Sequence, residues 1–139
     1  MSAVIPDCSF TSSLFLPDEK SNAVQKYILK HSDTYEFIVP VLWWYETANV
    51  LTMAKRRNRI GQIEIDTIFE LLERLNLITD TSHHSDFTKK ILSITQDHPI
   101  SSYDAVYLEA AIRYNCALAT LDKNLFKIAV KSGIDVVKL

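Results

Sequence analysis

Short apolar runs alternate with longer segments of helical periodicity along the chain, and this alternation constrains the fold more than any other feature. The runs cover residues 3–5, 36–39, 116–120 and 134–137, with a weaker run at residues 77–79. Strands that alternate with helices at this spacing predict a parallel sheet with right-handed crossover connections. We therefore expect an α/β domain with a parallel sheet of four to five strands flanked by helices.

The segments between the runs predict the helices. One of them carries apolar residues at helical spacing, namely Ile65, Ile68, Phe69, Leu72 and Leu75. Pro17 is expected to end the first short helix, and Gly61 is expected to break the helix that follows Pro40. Helices are accordingly expected at residues 9–16, 18–31, 41–59, 62–76, 86–95, 101–114 and from residue 122 onward.

Length and composition are those of an ordinary globular domain. The 139 residues suffice for one domain with a real core, which we expect to span residues 1–139. Hydrophobic residues make up 47% and charged residues 23%, as in folded rather than disordered proteins. Two glycines are too few for a glycine-rich phosphate-binding loop. The net charge of -2 excludes a global polycation but leaves room for a local basic patch.

The sequence also indicates the cellular compartment of the protein. Cys8 and Cys116 do not form the kind of cysteine framework that secreted disulfide-rich domains carry. The N-terminus lacks a basic start followed by a long apolar run, and no segment reaches the roughly 18 apolar residues that span a bilayer. We expect a soluble cytoplasmic protein without a membrane partner.

Glu46 is an acid in a segment that otherwise has the composition of a buried helix. Its neighbours three or four positions away on a helix include Leu42, Trp43 and Val50. A carboxylate in such company costs free energy unless a cation or hydrogen-bond donors compensate it. Because Glu46 lies one to two turns inside its helix, helix capping does not explain it.

Three further acids, Asp7, Asp104 and Asp122, lie where short apolar runs are expected to give way to helices. Asp7 and Asp122 directly follow strands, whose carboxyl ends form the ligand-binding edge of a parallel sheet. Each acid alone has a structural explanation, since Asp is a favoured N-cap and Ser101 with Asp104 fits a capping box. Together with Glu46 they predict a site for Mg²⁺ or Mn²⁺, which prefer carboxylate and water oxygens.

Four ordered sequence blocks resemble the PIN-domain ribonucleases, and among them the VapC-type toxins of toxin–antitoxin pairs. The blocks are Asp-Cys-Ser at residues 7–9, Tyr-Glu-Thr-Ala-Asn-Val-Leu at 45–51, Ser-Tyr-Asp-Ala-Val-Tyr-Leu at 102–108 and Ala-Thr-Leu-Asp-Lys-Asn-Leu at 119–125. The resemblance implies a PIN-like domain with Mg²⁺- or Mn²⁺-dependent endoribonuclease activity on RNA. It also implies a homodimer and a small antitoxin protein as inhibitor.

The resemblance assigns roles by position. The acids that match the family's catalytic and metal-binding residues are Asp7, Glu46, Asp104 and Asp122. Ser9 and Thr120 match the small hydroxyl residues that often support them. Many PIN domains have a further acid two positions after the last Asp, where this chain has Asn124. Asparagine offers an oxygen without a charge, which leaves a tight second metal position open.

A basic cluster and an aromatic cluster each have two interpretations. One interpretation of the basic cluster is that its side chains contact RNA phosphates. The other is that they are solvated side chains whose positive charge interacts favourably with the dipole at the C-terminal end of their helix. The cluster consists of Lys55, Arg56, Arg57 and Arg59. The aromatic residues at 43–45 either stack on bases or belong to the core or an interface. The two long helices are apolar over a broader surface than one core requires. That breadth predicts a dimer or antitoxin surface, with full burial in the monomer as the alternative.

Other functions remain as alternatives. A receiver-like phosphoacceptor would carry an acidic pair after the first strand, and a haloacid-dehalogenase-type phosphatase would carry a second Asp at position 9, which is Ser9. A non-catalytic PIN-fold binding module and a metal-dependent DNA nuclease share the same acids. A metal-binding measurement separates the first from a nuclease, whereas the metal chemistry alone does not separate RNA from DNA.

Overall fold

A four-stranded parallel sheet forms the centre of the computed structural model, which describes residues 2–16 and 21–139. The strands are β1 (Ser2–Pro6), β2 (Tyr35–Pro40), β3 (Leu77–Asp80) and β4 (Ala117–Ala119), in the spatial order β3-β2-β1-β4. Val4 of β1 pairs with Phe37 on one side and with Ala117 on the other. The expected parallel α/β sheet is confirmed. Its winding direction reverses between β1 and β4, which is the position where such sheets bind ligands.

The expected strand at residues 134–137 is reduced to one bridge. Val136 pairs in parallel with Leu118. The backbone N–H of Leu118 donates to the carbonyl of Asp135, and the N–H of Val137 donates to the carbonyl of Leu118, both at 2.9 Å. The exposed Asp135 and Lys138 interrupt the apolar pattern, so the segment gains little from further pairing. It lies beside β4 without becoming a full strand.

Seven helices are present in the described part of the chain. They are α1 (Cys8–Ser12), α2 (Ser21–His31), α3 (Val41–Arg56), α4 (Gln62–Arg74), α5 (Ser85–Asp97), α6 (Ser102–Tyr114) and α7 (Lys123–Lys131). None of the helices in residues 2–16 and 21–139 is long and apolar enough to cross a membrane.

Two helix boundaries differ from the sequence expectation. The helix expected at residues 9–16 ends at Ser12, and turns follow up to Leu16. α3 ends at Arg56 rather than near Gly61, because Asn58 adopts a left-handed backbone conformation with φ 55°. Gly61 instead precedes α4, where its N–H donates to Glu64 Oε2 at 3.0 Å. The expected stop at Pro17 and the expected helix start at residue 18 lie outside the described residues.

The central strands β1 and β2 are buried on both faces over most of their length, as parallel strands between helices must be, whereas the edge strand β3 is partly exposed. Val4 and Phe37 pack on the side of α2, whereas Ile5 and Ile38 belong to the larger cluster that includes Trp43. Trp43 is fully buried, and its indole Nε1–H donates to Thr11 Oγ1 at 2.9 Å. This contact fixes α3 against α1.

An ion-pair network fixes α6 to the end of β3. Glu109 is only 4% exposed and accepts from Arg113 Nε at 2.7 Å. Arg113 Nη2 also donates to Asp80 Oδ2 at 2.5 Å, and Tyr114 donates to Asp80 Oδ1 at 3.2 Å. Burial alone would raise the pKa of Asp80, but the hydrogen bonds and charge of Arg113 outweigh burial and lower it. The network therefore pairs both acids with one shared cation.

Replacing Arg113 with Met should destabilise the protein, because Glu109 would lose its cation inside the fold. We expect a loss of about 2 kcal/mol in the free energy of unfolding, less than for a fully buried pair because Arg113 is partly exposed to water. Urea unfolding at neutral pH measures it. Lys89→Met is the matched control, since it breaks only an exposed pair with Asp86 at 4.0 Å. Equal stability of the two variants would contradict a stabilising role for the network.

Candidate active site

Asp7 lies immediately after β1 and faces the crevice between β1 and β4. Its backbone N–H donates to the carbonyl of Ala119 at 2.9 Å. Its side chain is 5% exposed and caps α1, since Oδ1 accepts from the Phe10 N–H at 2.9 Å. Oδ1 also accepts from Ser9 Oγ at 2.6 Å, and Oδ2 accepts from the Thr120 hydroxyl. Asp7 is therefore a helix cap and, at the same time, a buried acid at the ligand-binding edge.

The protonation of Asp7 reflects this burial. Burial raises the pKa of Asp7 to about 6, although the hydrogen bonds from Ser9, Thr120 and Phe10 lower it. The negative charge of Asp104 adds a smaller upward contribution. Hydrogen-bond donors thus fix the carboxyl group in place, while no Lys or Arg in the described part of the chain pairs with its charge.

Ser9 and Thr120 connect Asp7 to the turn between β4 and α7. Ser9 Oγ accepts from the Leu121 N–H at 3.0 Å, and Thr120 Oγ1 accepts from the Asp122 N–H at 3.0 Å. Each hydroxyl then gives its single proton to Asp7. The two hydroxyls consequently set the position of the turn relative to the buried carboxyl.

Glu46 lies in the second turn of α3 and is half-buried. Its Oε1 accepts a hydrogen bond from the hydroxyl of Tyr107. Burial raises the pKa of Glu46, the Tyr107 hydrogen bond lowers it, and the charge of Asp104 raises it further. Glu46 Oε2 has no hydrogen-bond partner in the part of the chain that the structure describes, which leaves it available to a cation or a water.

Tyr107 is a site residue that the sequence reasoning missed. It is 2% exposed on α6, and burial followed by the hydrogen bond to Glu46 raises the pKa of its hydroxyl, so it remains a proton donor. A signal was available in the helical spacing, since Tyr107 lies three residues after Asp104 and on the same face of α6.

Asp104 and Asp122 complete the acidic group. Asp104 is in the first turn of α6, and its N–H donates to the N-cap Ser101 Oγ at 3.1 Å. Asp122 is exposed and caps α7 by accepting from the Leu125 N–H at 2.8 Å. Burial raises the pKa of Asp104, and so does the charge of Asp122. Asp104 in turn raises the pKa of Asp7 and of Glu46, so electrostatic interactions through Asp104 link the four expected acids.

The charge of this acidic group is not neutralised. Within residues 2–16 and 21–139, no Lys or Arg forms an ion pair with any of the four acids, in contrast to Asp80. Across the same residues, no three His, Cys, Asp or Glu side chains form an arrangement that could by itself hold a metal ion. The donors are hard carboxylate oxygens. Such a set suits a hydrated Mg²⁺ or Mn²⁺, because Mg²⁺ typically uses one or two carboxylates and retains several waters.

Within residues 2–16 and 21–139, no hydrogen bond or ion pair joins the other candidate residues to the four acids. Asn124 is exposed, and its Nδ2 donates to the carbonyl of Pro99 at 3.4 Å. The basic residues 55–59 are exposed at the far end of α3, where Arg57 and Arg59 line a cleft of about 220 Å³. Arg57 is eleven residues beyond Glu46, or about 16 Å along the helix. The basic cluster is therefore not part of the acidic site itself.

A cleft of about 410 Å³ opens beside Glu46 between α1, α3 and α6. Tyr45, which is 72% exposed, and Tyr103 line it. Of the other aromatics considered from the sequence, Trp43 is in the core and Trp44 donates its indole N–H to Thr79 at 2.9 Å. Tyr103 was missed, although it directly precedes Asp104.

Cys8 lines the same cleft but is not suited to act as a nucleophile. It is buried, and its sulfur is 4.0 Å from Thr47 Oγ1. Burial raises the pKa of the Cys8 thiol to about 11, and the charges of Glu46 and Asp7 add to the increase. The reactive thiolate is therefore scarce at neutral pH. Any catalytic chemistry at this edge of the sheet would therefore depend on the carboxylates rather than on the thiol.

Comparison with known proteins agrees with this architecture. The sequence model of the PIN domain matches residues 4–131. No curated protein sequence matches the chain.

Among solved structures, the chain is similar to VapC20 of Mycobacterium tuberculosis, a sarcin–ricin loop-cleaving toxin. The TM-score is 0.70 at 15% identity, covering 98% of this chain and 99% of that chain. It is also similar to VapBC2 from Rickettsia felis bound to a promoter DNA fragment, with TM-score 0.68, 12% identity and 97% of each chain covered. PAE2754 from Pyrobaculum aerophilum gives TM-score 0.66 at 20% identity, over 91% of this chain and 85% of that chain. These likenesses concern the fold.

Replacing Asp7 with Asn should stabilise the metal-free protein above about pH 6. The pKa of Asp7 is raised from 3.8 to about 6, so its contribution to stability is fully present below about pH 3.8 and is lost as the pH rises through 6. Ionisation of Asp7 then costs up to about 3 kcal/mol, which Asn avoids. Thermal unfolding in EDTA should show a gain in melting temperature for Asp7→Asn that grows between about pH 4 and about pH 6 and is constant above that range.

Asp80→Asn is the control variant, for which the expected change in stability has the opposite sign. Its pKa is lowered by Arg113 despite burial, so the ionised carboxylate stabilises the fold and Asn should destabilise it at neutral pH. If Asp7→Asn were destabilising by the same amount at every pH, the buried carboxyl would not be the uncompensated group described above.

Replacing Tyr107 with Phe should raise the pKa of Glu46 further, because the lost hydroxyl hydrogen bond is what lowers it. Carboxyl ¹³C NMR over a pH titration measures this pKa directly. Tyr114→Phe is the matched control, since its hydroxyl donates to Asp80 instead. An unchanged pKa of Glu46 in Tyr107→Phe would show that the hydrogen bond does not tune this acid.

Proposed function

Because this chain belongs to the PIN domain family, we propose that it is a divalent-metal-dependent endoribonuclease and the toxin of a toxin–antitoxin pair. The observation that carries the proposal is a group of four acids around the switch point of the sheet that interact electrostatically and pair with no Lys or Arg within residues 2–16 and 21–139. Such a group is destabilising by itself, and a bound divalent ion would compensate its charge. It is therefore consistent with a functional rather than a stabilising role.

Different residues of the chain would have different roles in phosphodiester hydrolysis. Asp7, Glu46 and Asp104 would hold the ion, and Asp122 would close the exposed side of the site. A bound Mg²⁺ or Mn²⁺ supplies charge neutralisation at the phosphoryl oxygens and a more acidic water. Asp7 is fixed by three donors and Glu46 by Tyr107, so little reorganisation is needed when the substrate binds. We expect in-line attack by water and products with a 5′-phosphate and a 3′-hydroxyl.

RNA is the proposed substrate. The M. tuberculosis neighbour is a sarcin–ricin loop-cleaving toxin, which supports RNA cleavage by a protein of this fold. Within the chain, Ser9 and Thr120 support Asp7, and Asn124 offers an uncharged oxygen near Asp122. The basic residues Lys55, Arg56, Arg57 and Arg59 are placed to contact phosphates remote from the cut. We assign the activity to the cytoplasm, where RNA targets are available.

A small antitoxin protein and a second copy of the chain are the proposed protein partners. The R. felis neighbour is a VapBC2 structure, which supports an antitoxin. On α4, Ile63 is 81% exposed, and Phe69 and Leu71 are also exposed. These side chains are therefore not buried within the monomer, contrary to one interpretation of the sequence. An apolar surface of this kind is typical of protein interfaces.

Induction of the wild type and of Asp7→Asn in a bacterial host, followed by transcriptome-wide mapping of RNA 5′ ends, tests the activity. The wild type should produce discrete new 5′-phosphate ends and growth arrest. Asp7→Asn should reduce cleavage at least about 100-fold, because loss of a partner outside the metal's own ligands already costs about 10–100-fold. EDTA should abolish cleavage by the purified wild type, and added Mg²⁺ or Mn²⁺ should restore it.

Asp97→Asn is the matched control, since it makes the same substitution at an exposed acid on α5 outside the site. It should cleave like the wild type. Full activity of Asp7→Asn would refute the assigned site. Soluble wild type that produces no new RNA ends would favour a DNA substrate or a non-catalytic binding role instead.

A further inference from the structure

A second groove adjoins the acidic site from the side of β4. It has a volume of about 360 Å³, and its wall includes Lys123, Lys127, Lys138 and Phe126. We call it the lysine groove. Thr120 and Asp122 also line it, and the Thr120 hydroxyl donates to the buried Asp7. The groove therefore begins at the residue that supports the innermost acid.

Two separate elements build the cationic wall of the lysine groove. Lys123 and Lys127 are four residues apart on α7, so they project from the same face of the helix. Lys138 comes from the segment that the bridge between Leu118 and Val136 holds beside β4. All three lysines are exposed, and none forms an ion pair within residues 2–16 and 21–139. The fold thus brings together cations from α7 and from the segment that follows it.

The remaining lining of the lysine groove is apolar. Phe126 is partly exposed between Lys123 and Lys127 along α7, and Val137 and Leu139 continue the apolar surface. Cations that border an aromatic face suit a ligand with both phosphates and flat bases. A simple inorganic anion would use only the lysines, whereas a nucleic acid strand would use the complete lining.

Position distinguishes the lysine groove from the basic cluster at the end of α3. The cluster begins nine residues beyond Glu46, so it can contact only phosphates at a distance from the cut. The lysine groove shares Thr120 and Asp122 with the acidic site and can bind nucleotides next to the cut. We infer that the lysine groove binds the RNA strand immediately to one side of the scissile phosphate, with its phosphates on the three lysines and a base on Phe126. This inference rests on the proposed ribonuclease function.

Salt dependence of RNA binding tests the inference. A short fluorescein-labelled oligouridine is titrated with the full chain in EDTA, which prevents cleavage, and anisotropy is measured between about 50 mM and about 200 mM salt. Each lysine–phosphate contact contributes about 0.7 to the slope of log affinity against log salt for a single strand. The variant Lys123→Gln/Lys127→Gln/Lys138→Gln should therefore lose about 2 from the magnitude of the slope. Over this salt range the wild type should lose about 20-fold more affinity than the variant.

The matched control, Lys26→Gln/Lys30→Gln/Lys90→Gln, removes the same charge from exposed positions on α2 and α5. It should keep the wild-type slope. Phe126→Leu should weaken binding by about 5- to 150-fold, the range for loss of one stacked base, while leaving the slope unchanged. These two results together separate groove contacts from a general effect of net charge.

Three outcomes would overturn the inference: a wild type without salt-dependent RNA binding, equal slopes for the two triple variants, or polyglutamate that binds the groove as tightly as oligouridine. The last would identify an acidic protein segment as the ligand instead. Cleavage by the wild type with Mg²⁺ is recorded separately. Cleavage with equal slopes rejects the groove alone, whereas loss of slope without cleavage in any sample rejects the nuclease function and retains the groove as an RNA-binding site.

Discussion

The burial of one ionisable group, the carboxyl of Asp7, determines how the whole edge of the sheet is arranged. β1 lies between β2 and β4, so the residue that leaves β1 enters the crevice where the winding direction reverses. Asp7 cannot reach bulk water there and needs donors from the protein. They come from the start of α1 and from the two hydroxyls of Ser9 and Thr120. Solvating this group internally therefore fixes α1 and the β4–α7 turn relative to each other.

Buried acids occur in two electrostatic environments in this protein. Glu109 and Asp80 share one cation, Arg113, which pairs with both carboxylates. The acids around Asp7 have no such cation in the part of the chain that the structure describes, and burial and mutual repulsion raise the pKa of three of them. A structural role would favour the first environment, because the ion pairs reduce the repulsion. The second leaves a group of acids whose charge a bound cation would compensate, which supports the proposed metal site.

The sequence predicted what depends on local pattern and missed what depends on distant partners. The apolar runs predicted all four strands. The rule that ligands bind at the carboxyl ends of parallel strands led to the prediction that the acids lie at one edge of the sheet. The bridge at Val136 fell short of the expected strand, because strand length depends on how much a neighbour can pair. Tyr107 contacts Glu46 across 61 residues, and Arg113 contacts Asp80 across 33 residues, separations at which periodicity carries no information. The end of α3 was misplaced because Asn58 adopts a left-handed conformation more often ascribed to glycine.

The single bridge at Val136 has a consequence for how proteins of this architecture can diversify. Everything that holds Asp7 lies before the bridge in the chain, whereas Lys138 lies just after it. Substitutions or changes of length beyond Val136 would thus remodel one wall of the lysine groove while leaving the donors to Asp7 untouched. Under the proposed function, one contact with RNA and the support of the hydrolytic site thus lie in separate stretches of polypeptide, so the first can change while the second is kept.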